Sequence, residues 1–314
     1  MKLKFKNLII ASLAFFVLIL LIMFKFVELK EIATLLIKLN LLFFALAFLS
    51  QFLVFSFITS FYRVIEKNIS FWNFFKISRA KSFVDIVIPS FSLGGSFAFY
   101  YFLKRKIAKN RAFFLISLDL FLNFLITFLF FIFSLIFLFK YIAPDISLLI
   151  IGIILLIAFV LLTRILWTKT GQRHFKAFVF FFLKKKPRIK SRFLKSFNQL
   201  TKHGRIKKKI LLPSFALVIL TYLFRLLTLA LVFLSIGYKI DLLVLIVGYF
   251  ISVFISAFSY IKLGVYEAIM ALTYTRLGVG YEIALTATLI YRLIAFWIPL
   301  LIGFLCFRNL LKED

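Results

Sequence analysis

Ionisable side chains inside long apolar runs are the residues of this sequence that could do chemistry. Five of them stand apart, namely Asp85, Asp119, Arg225, Glu267 and Arg292. A charged group in hydrocarbon costs roughly 2.5–3.5 kcal/mol on insertion scales, so each needs an oppositely charged partner or water. The five predict either internal ion pairs that hold a helix bundle together or a polar cavity for a charged headgroup. Among the pairings, we expect Glu267 to meet Arg292.

Arg225 and a glycine pair carry the clearest signals for an anionic ligand. Arg225 is the leading candidate for a cation without a carboxylate partner, because a guanidinium matches the geometry of a phosphate. The adjacent Gly94 and Gly95 admit two interpretations. Their backbone amides approach an anion at the start of a half-helix, or their small size lets helices pack closely. Asp119 and Asn123 are four residues apart and therefore share one helix face.

The apolar stretch at residues 82–103, SFVDIVIPSFSLGGSFAFYYFL, contains Asp85 and is interrupted by Pro89 and the glycine pair. Basic residues precede and follow it: Arg79, Lys81, Lys104, Arg105, Lys106, Lys109 and Arg111. Lys and Arg prefer the cytoplasmic side of a membrane, so both ends are expected there. A segment that starts and ends on one side is a re-entrant hairpin, and such broken backbone needs protein or a wet cavity around it. The preceding residues 68–81 alternate aromatic and basic side chains, which predicts a helix lying in the membrane interface.

A second interrupted stretch, residues 262–282, lies in the other half of the chain. It contains glycines at 264, 278 and 280 together with four charged residues. These charges do not decide between a hairpin and a broken crossing of the membrane. Two interrupted segments, one in each half, are typical of transporters that are built from structural repeats around a midplane site.

The composition of the chain predicts an integral membrane protein. At 64% hydrophobic residues and a mean hydropathy of +1.10, the chain is too apolar for a soluble globule. Several apolar runs exceed the ~18 residues that mark a membrane span, so we predict an all-α, polytopic membrane helix bundle with about seven or eight spans plus one or two re-entrant or broken helices. We expect residues 1–314 to form a single integral-membrane domain, with a first half at 1–163, a basic cytoplasmic segment at 164–209 and a second half at 210–314.

The formal charge of +29 is concentrated in the basic segment. Sixteen Lys or Arg residues, and no Asp or Glu, lie between Arg164 and Lys209. In a polytopic membrane protein such a block predicts docking on the anionic inner leaflet rather than on nucleic acid. A second copy of the chain is a further candidate partner.

The N-terminal residues predict the orientation of the chain. Lys2, Lys4 and Lys6 favour a cytoplasmic N-terminus in the cell membrane. The apolar run at residues 8–27 is too long for a signal peptide and predicts an uncleaved first span. The balanced charges of residues 28–40 suit an outer loop.

Several signatures of catalysis are missing from the sequence. It contains no GxxxxGK[ST] phosphate loop, which argues against ATP hydrolysis by this chain. Both histidines, His174 and His203, lie in the basic segment, and no Cys and His residues have the spacing of zinc ligands. We therefore expect no cofactor, no metal and no enzymatic activity, and any ligand movement would be passive or coupled to ions or protons.

Two sequence signatures resemble the flippase-like integral-membrane family, also called the lysylphosphatidylglycerol synthase transmembrane region. The first is PSFSLGGSFAFYYFLKR, Pro89 to Arg105, which is similar to the family's pattern of Pro, Gly-Gly and basic residues. The second lies between Leu263 and Gly303. There Gly264, Val265 and Glu267 resemble the family's Gly-Val-x-Glu, and Gly278 and Val279 resemble its later Gly-Val. Tyr291, Arg292, Trp297 and Pro299 resemble its Tyr-Arg…Trp-x-Pro. One departure is Tyr260-Ile261-Lys262, where many members have Pro-Gly-Gly.

The resemblance covers the chain from about Leu41 to Phe307 and implies handling of a polar lipid, best known as movement of aminoacylated phosphatidylglycerol between leaflets. We expect a lipid translocase that moves or binds a polar phospholipid headgroup through an intramembrane polar cavity. The alternative is a membrane enzyme or enzyme subunit that acts on a polyprenyl-linked or aminoacylated lipid. The soluble aminoacyl-transferring domain of larger relatives has no counterpart, so that reaction is not expected. The expected substrate-binding residues are Asp85, Pro89, Gly94, Gly95, Asp119, Arg225, Gly264, Glu267, Tyr291 and Arg292.

Overall fold

The computed structural model describes four stretches of the chain, residues 29–87, 93–141, 208–257 and 264–313. Every regular element in these stretches is helical. The first two contain α1 (Leu29–Ile37), α2 (Leu41–Ile65), α3 (Phe71–Val87), α4 (Leu93–Leu103) and α5 (Lys109–Tyr141). The last two contain α6 (Lys208–Ser235), α7 (Leu242–Ala257), α8 (Val265–Arg276), α9 (Tyr281–Arg292), a π-helical turn (Leu293–Trp297) and α10 (Ile298–Lys312).

Four of the described helical runs are long and apolar enough to cross a membrane. They are Leu41–Ile65, Arg111–Leu138, Ile210–Ser235 and Tyr281–Lys312. A helix allows such a run to satisfy its backbone N–H and C=O groups without water. The predicted all-α membrane bundle is therefore confirmed. The predicted first span, residues 8–27, lies outside the described stretches.

Helices α3 and α4 form an antiparallel hairpin. Asp85 near the end of α3 bonds to Gly95 near the start of α4, and one turn further from the break Lys81 Nζ lies 5.6 Å from the centroid of the Phe99 ring. The helices have 17 and 11 residues. They therefore rise only about 25 and 16 Å, less than a hydrocarbon core of about 30 Å. The pair has the shape predicted for the first interrupted stretch, and its entry from the cytoplasmic side stays a prediction.

The first limb of this hairpin is longer than predicted. Helix α3 is continuous from Phe71 to Val87, so residues 68–81 do not form a separate helix. Phe74 and Arg79 within it are buried, whereas Trp72 is 68% exposed. The predicted end of this helix was wrong, because alternating aromatic and basic residues also fit a longer helix whose aromatic side chains pack against neighbouring helices. Its position in the membrane interface stays a prediction.

Helices α7 and α8 form a second antiparallel hairpin. The hydroxyl of Tyr274, near the end of α8, donates to the carbonyl of Leu245, near the start of α7, at 2.9 Å. These helices have 16 and 12 residues. They rise about 24 and 18 Å, again less than a hydrocarbon core. The stretch at 262–282, whose form the charges left open, thus supplies the second limb of a hairpin.

The element order repeats along the described parts of the chain. Helix α2, the α3–α4 hairpin and α5 come first, and α6, the α7–α8 hairpin and the helix from α9 to α10 follow. Each set consists of a long helix, a hairpin of short helices and a second long helix. The two interrupted segments predicted a structural repeat, and this order of helices is the one expected for such a repeat.

Helix α1 occupies the segment that was predicted to be an outer loop. Ile32 of α1 is buried against Ala271 of α8 and Leu285 of α9. The charged side chains that indicated a loop, Lys30 and Glu31, are exposed. Ile32 is the residue of α1 that is buried in this cluster. Because its contacts lie far away in sequence, the local charges did not reveal the helix.

The last long helix packs closely against the first hairpin. At Gly303 of α10, a Cβ would lie 2.6 Å from the carbonyl oxygen of Arg79, so only glycine allows this approach. Phe83 of α3 contacts Phe304 and Phe307 of α10 at ring centroid distances of 5.6 and 5.5 Å. This face of α10 therefore positions the hairpin.

The described helices up to Ser134 and from Leu212 onward belong to one compact unit, and Leu135–Leu211 belongs to a second. Every polar contact of the candidate site lies within the first unit. Almost all of the basic segment at 164–209 lies outside the described stretches, so the division of the chain at that segment stays a prediction.

Candidate functional site

The break of the first hairpin is closed by a contact between a carboxylate and a backbone amide. The N–H of Gly95 donates to Oδ1 of Asp85 at 2.8 Å, and both Gly94 and Gly95 are buried. A Cβ on Gly95 would overlap the Asp85 carboxylate. The partial positive charge at the start of α4 also stabilises a carboxylate there. The glycine pair had two interpretations. At Gly95 the backbone amide approaches an anion, and this anion is the Asp85 carboxylate of the same protein.

Gly95→Ala should lower the melting temperature of the purified protein, because the added Cβ displaces the Asp85 carboxylate from the amide. We expect a loss of about 1–3 kcal/mol in the free energy of unfolding, the range for a buried group that loses its hydrogen bond. Gly280→Ala is the matched control, since a Cβ there would meet only Ile283 Cδ1 at 3.8 Å. An equal loss in the two variants would mean that this contact does not hold the hairpin closed.

Glu267 lies in the first turn of α8, next to the break of the second hairpin. Its Oε2 accepts the N–H of Gly264 at 2.9 Å, and its Oε1 accepts Nε–H of Arg292 at 2.6 Å. The side chain of Glu267 is 1% exposed and that of Arg292 is 11% exposed. The predicted pair is therefore confirmed. The contact with Gly264 satisfies an N–H at the helix start, so the same carboxylate also caps α8.

Arg292 lies against two aromatic rings where its helix widens. Its guanidinium carbon is 4.7 Å from the centroid of the Tyr266 ring and 3.9 Å from that of the Phe296 ring. The π-helical turn Leu293–Trp297 begins directly after it. Single π-helical turns inside α-helices are frequent at functional sites. A carboxylate and two ring faces therefore stabilise this cation.

A second buried ion pair lies where the first hairpin meets α5. Asp119 of α5 accepts hydrogen bonds from the ammonium of Lys81, from the Tyr62 hydroxyl at 2.9 Å and from Asn123 Nδ2 at 2.8 Å. The side chains of Asp119 and Lys81 are 9% and 16% exposed. The prediction that Asp119 and Asn123 share a face is confirmed. Lys81, which the sequence assigned to the flank of the hairpin, is the counter-ion of Asp119.

Asn123 continues this network toward α6. The Tyr222 hydroxyl donates to Asn123 Oδ1 at 3.2 Å, and the guanidinium carbon of Arg225 lies 5.2 Å from the centroid of the Tyr222 ring. The Tyr222 ring lies 5.7 Å from that of Phe250 on α7, and the ring of the adjacent Tyr249 lies 6.4 Å from that of Tyr291 on α9. A chain of polar side chains therefore runs from the first hairpin through α5 and α6 to α7 and α9. We call this series, from Lys81 to Tyr291, the polar chain.

The predicted site residues fall into three groups in the structure. Asp85, Gly94 and Gly95 form the first hairpin break; Gly264, Glu267 and Arg292 form the second; Asp119, Arg225 and Tyr291 belong to the polar chain. Pro89 lies outside the described residues, as does the Tyr260-Ile261-Lys262 departure. Substrate binding by these groups stays a prediction.

Sequence reasoning missed Tyr62, Tyr222, Tyr249 and Lys81 as members of the polar chain. Tyr222 lies three residues before Arg225, so helical spacing puts both on one face, and this signal could have identified it. Tyr62 and Tyr249 have no such signal, because their polar partners lie in other helices.

Long apolar helices, two hairpins of short helices and a buried chain of polar residues define a multi-pass helical membrane protein. Residues 9–303 match the family model described as the lysylphosphatidylglycerol synthase TM region. The chain belongs to this family. A search of curated proteins found no match.

Proposed function

We propose that this protein moves a polar phospholipid headgroup between the membrane leaflets along its polar chain. The observation that carries the proposal is a run of polar side chains within an apolar helix bundle. It is hydrogen-bonded from Lys81 through Asp119 and Asn123 to Tyr222, and Arg225, Tyr249 and Tyr291 continue it as ring neighbours. A headgroup on this route would meet hydrogen-bond donors and acceptors instead of bare hydrocarbon, where each unpaired polar group is costly. Membership of the lysylphosphatidylglycerol synthase TM family supports a lipid-related role.

The two hairpins supply the parts of the protein that would move. Each consists of helices too short to cross the hydrocarbon alone, and each carries an acid at its break, Asp85 or Glu267. In transporters with repeated halves, broken helices of this kind frame a midplane site, and one repeat rocks against the other. In our proposal the first hairpin enters from the cytoplasmic side, and the headgroup binds near the hairpin breaks.

The charges near the breaks suit an anionic or zwitterionic headgroup. Arg225 offers a guanidinium to a phosphate. Glu267 and Arg292 neutralise each other, so the pair presents no net charge before a headgroup arrives. A zwitterionic headgroup could exchange partners with this pair, because each buried charge would then keep a counter-ion throughout.

The membrane orientation follows from the basic residues. The segment at 164–209 would dock on the anionic inner leaflet, where each Lys or Arg adds about 1 kcal/mol. The same rule for basic residues assigns the N-terminus to the cytoplasmic face of the cell membrane. We propose movement that is passive or coupled to ions or protons, and we assign no enzymatic activity.

Leaflet exchange of a fluorescent phosphatidylglycerol in vesicles that contain the purified protein tests this function. Wild type should accelerate exchange over protein-free vesicles, measured as the fraction of fluorophore that dithionite reduces with time. Tyr249→Phe combined with Tyr291→Phe should slow exchange about tenfold, because two hydroxyls of the polar chain are lost while the rings still pack. A lost hydrogen bond is worth about 0.5–1.5 kcal/mol, and about 1.4 kcal/mol corresponds to tenfold in rate.

Tyr101→Phe is the matched control, since Tyr101 lies outside the polar chain and is 42% exposed. This variant should exchange lipid at the wild-type rate. Equal rates in protein-free and wild-type vesicles would contradict transport. Turnover of a polyprenyl-linked lipid without exchange would support the enzyme alternative instead.

A further inference from the structure

Five helix ends meet at one end of the first unit. Glu66, directly after α2, pairs with Arg111 near the start of α5, with Oε2 and Nη1 3.0 Å apart. Glu313, directly after α10, lies 3.2 Å from Nζ of Lys76 on α3 and 3.8 Å from Nζ of Lys106 in the turn between α4 and α5. These contacts join the end of α2, the start of α3, the turn between α4 and α5, and the end of α10. We call residues 63–76, 104–111 and 308–313 the basic end.

Other helix ends form the opposite end of the same unit, at residues 29–40, 235–245 and 274–285. The N–H of Asn40, before α2, donates to the carbonyl of Ser235 at the end of α6 at 2.7 Å. The Tyr274 hydroxyl joins α8 to the start of α7, and Ile32 of α1 packs near the start of α9. Because α2 has 25 residues, about 37 Å of helix separates the two ends.

The two ends differ strongly in charge. The basic end contains two acids and ten basic residues, a net charge of +8. The ten are Arg63, Lys67, Lys76, Lys104, Arg105, Lys106, Lys109, Arg111, Arg308 and Lys312, and most of them are exposed. The opposite end, over the ranges given above, contains four basic residues and three acids, a net charge of +1. Only the basic end therefore attracts an anionic surface strongly.

Trp72 indicates that the basic end lies at the level of the lipid headgroups. It belongs to the first turn of α3 and is 68% exposed. Exposed tryptophans beside apolar helices are typical of the boundary between membrane and water. Lys76 follows Trp72 by four residues and thus lies on the same face of α3. The apolar helix Tyr281–Lys312 also ends here, so headgroups can reach this surface directly.

The contacts of Glu313 show that an anion fits between Lys76 and Lys106. One lysine lies on the first limb of the first hairpin, and the other follows its second limb. The side chains of Lys76, Lys106 and Glu313 are 37%, 30% and 45% exposed. Ion pairs that are this exposed contribute little to stability, so another anion can replace the carboxylate at little cost.

We propose that the basic end binds the headgroups of anionic phospholipids in the adjoining leaflet, and that one headgroup competes with Glu313 for Lys76 and Lys106. A lipid phosphate accepts hydrogen bonds from both ammonium groups. Because the two lysines belong to opposite limbs, a bound headgroup would also hold the open ends of the hairpin together. This surface is separate from the polar chain and from the segment at 164–209, and its binding does not require that lipid moves between leaflets.

Binding of short-chain lipids to the purified full chain in detergent tests this surface. The probes are dioctanoyl phosphatidylglycerol, which is anionic, dioctanoyl phosphatidylcholine, which has the same phosphate but no net charge, and inorganic phosphate. The readout is the melting temperature as a function of probe concentration, from which an apparent affinity follows. Phosphatidylglycerol should bind about tenfold more tightly than phosphatidylcholine at low salt, and added salt should reduce this difference because exposed charges are screened.

Lys76→Gln combined with Lys106→Gln should weaken the apparent affinity for dioctanoyl phosphatidylglycerol about tenfold or more, because each Lys near an anionic headgroup contributes about fivefold. Lys38→Gln combined with Lys239→Gln is the matched control, since both lysines are exposed at the opposite end. This control should keep the wild-type affinity. An equal loss in the two double variants would overturn the proposal, because binding would then follow the total charge of the protein.

Glu313→Gln should have the opposite effect and raise the affinity for dioctanoyl phosphatidylglycerol several-fold, because it removes the competing carboxylate. Its ligand-free melting temperature should stay close to that of the wild type, since exposed ion pairs contribute little. Glu31→Gln, at an exposed acid of the opposite end, is the control and should leave the affinity unchanged. Weaker lipid binding by Glu313→Gln would overturn the proposal, because the carboxylate would then position the lysines for the lipid.

The remaining outcomes separate this surface from free phosphate and from transport. Inorganic phosphate that stabilises the protein as strongly as phosphatidylglycerol would overturn a lipid as the partner. A wild type that binds phosphatidylglycerol through Lys76 and Lys106 but exchanges no lipid keeps this surface and loses the proposed function. Wild-type affinity in the Lys76→Gln and Lys106→Gln double variant, with lipid exchange intact, overturns this surface and keeps transport.

Discussion

Glu267→Met alone should lower the free energy of unfolding by about 3–5 kcal/mol, because it leaves the charge of Arg292 buried without its carboxylate. The N–H of Gly264 loses its acceptor in the same variant, which adds about 1–3 kcal/mol. Thermal unfolding in detergent measures the loss. Glu31→Met, at an exposed position on α1, is the control and should stay close to wild type.

A double variant identifies the ion pair as the cause of this loss. Glu267→Met combined with Arg292→Met removes both charges, so that only the acceptor for the N–H of Gly264 is still missing. We expect most of the stability to return, because replacing both members of a buried pair is often neutral or stabilising. If the double variant is as unstable as Glu267→Met, the charge of Arg292 is not the source of the effect.

Asp119→Leu should be similarly damaging, with a loss of about 3–5 kcal/mol in the free energy of unfolding. It removes the carboxylate that pairs with Lys81 and that accepts hydrogen bonds from Tyr62 and Asn123. The same melting experiment measures the effect. In addition, we expect slower lipid exchange, because the polar chain is cut between the first hairpin and α6.

Two companion variants of Asp119→Leu separate charge from packing. Adding Lys81→Met should restore much of the stability, since no unpaired charge then remains at this point. Asp241→Leu is the control, because the Asp241 carboxylate only caps α7 through the N–H groups of Leu243 and Val244. Loss of such a cap costs about 1 kcal/mol. An Asp119→Leu effect no larger than this would contradict a buried ion pair.

Local spacing and strong sequence patterns predicted much of this site. The positions of Asp119 and Asn123, four residues apart, placed them on one face, and the interrupted stretches indicated where the helices break. The pairing of Glu267 with Arg292 followed from the cost of leaving either charge alone in hydrocarbon. These inferences need only helix geometry and the energetics of single charges.

Contacts between distant helices could not be predicted in the same way. Lys81 meets Asp119 across 38 positions, and Tyr222 meets Asn123 across 99. In a soluble helix the apolar stripe shows which face is buried, but here 64% of residues are hydrophobic, so lipid-facing and core-facing sides look alike. Hydrophobicity therefore leaves the rotation of each helix about its axis undetermined.

Arg79 and Lys81 show a related failure. The preference of basic residues for the cytoplasmic side assigned both to the flank of the hairpin. Helix α3 begins at Phe71, so both residues lie well inside it, and Arg79 is among its buried residues. The rule concerns basic residues at the ends of spans, whereas Arg79 is buried in the protein and Lys81 pairs with Asp119.

The π-helical turn after Arg292 determines how the two ends of the last long helix are rotated relative to each other about the helix axis. On one side of the turn, Arg292 faces Glu267; on the other, Gly303 faces the backbone of Arg79 in the first hairpin. One residue corresponds to about 100° of helix rotation. A single deletion within Leu293–Trp297 would leave Arg292 in register and turn Gly303 away from its docking face. The length of this helix is therefore as tightly constrained as the identity of the residues at its two contact points.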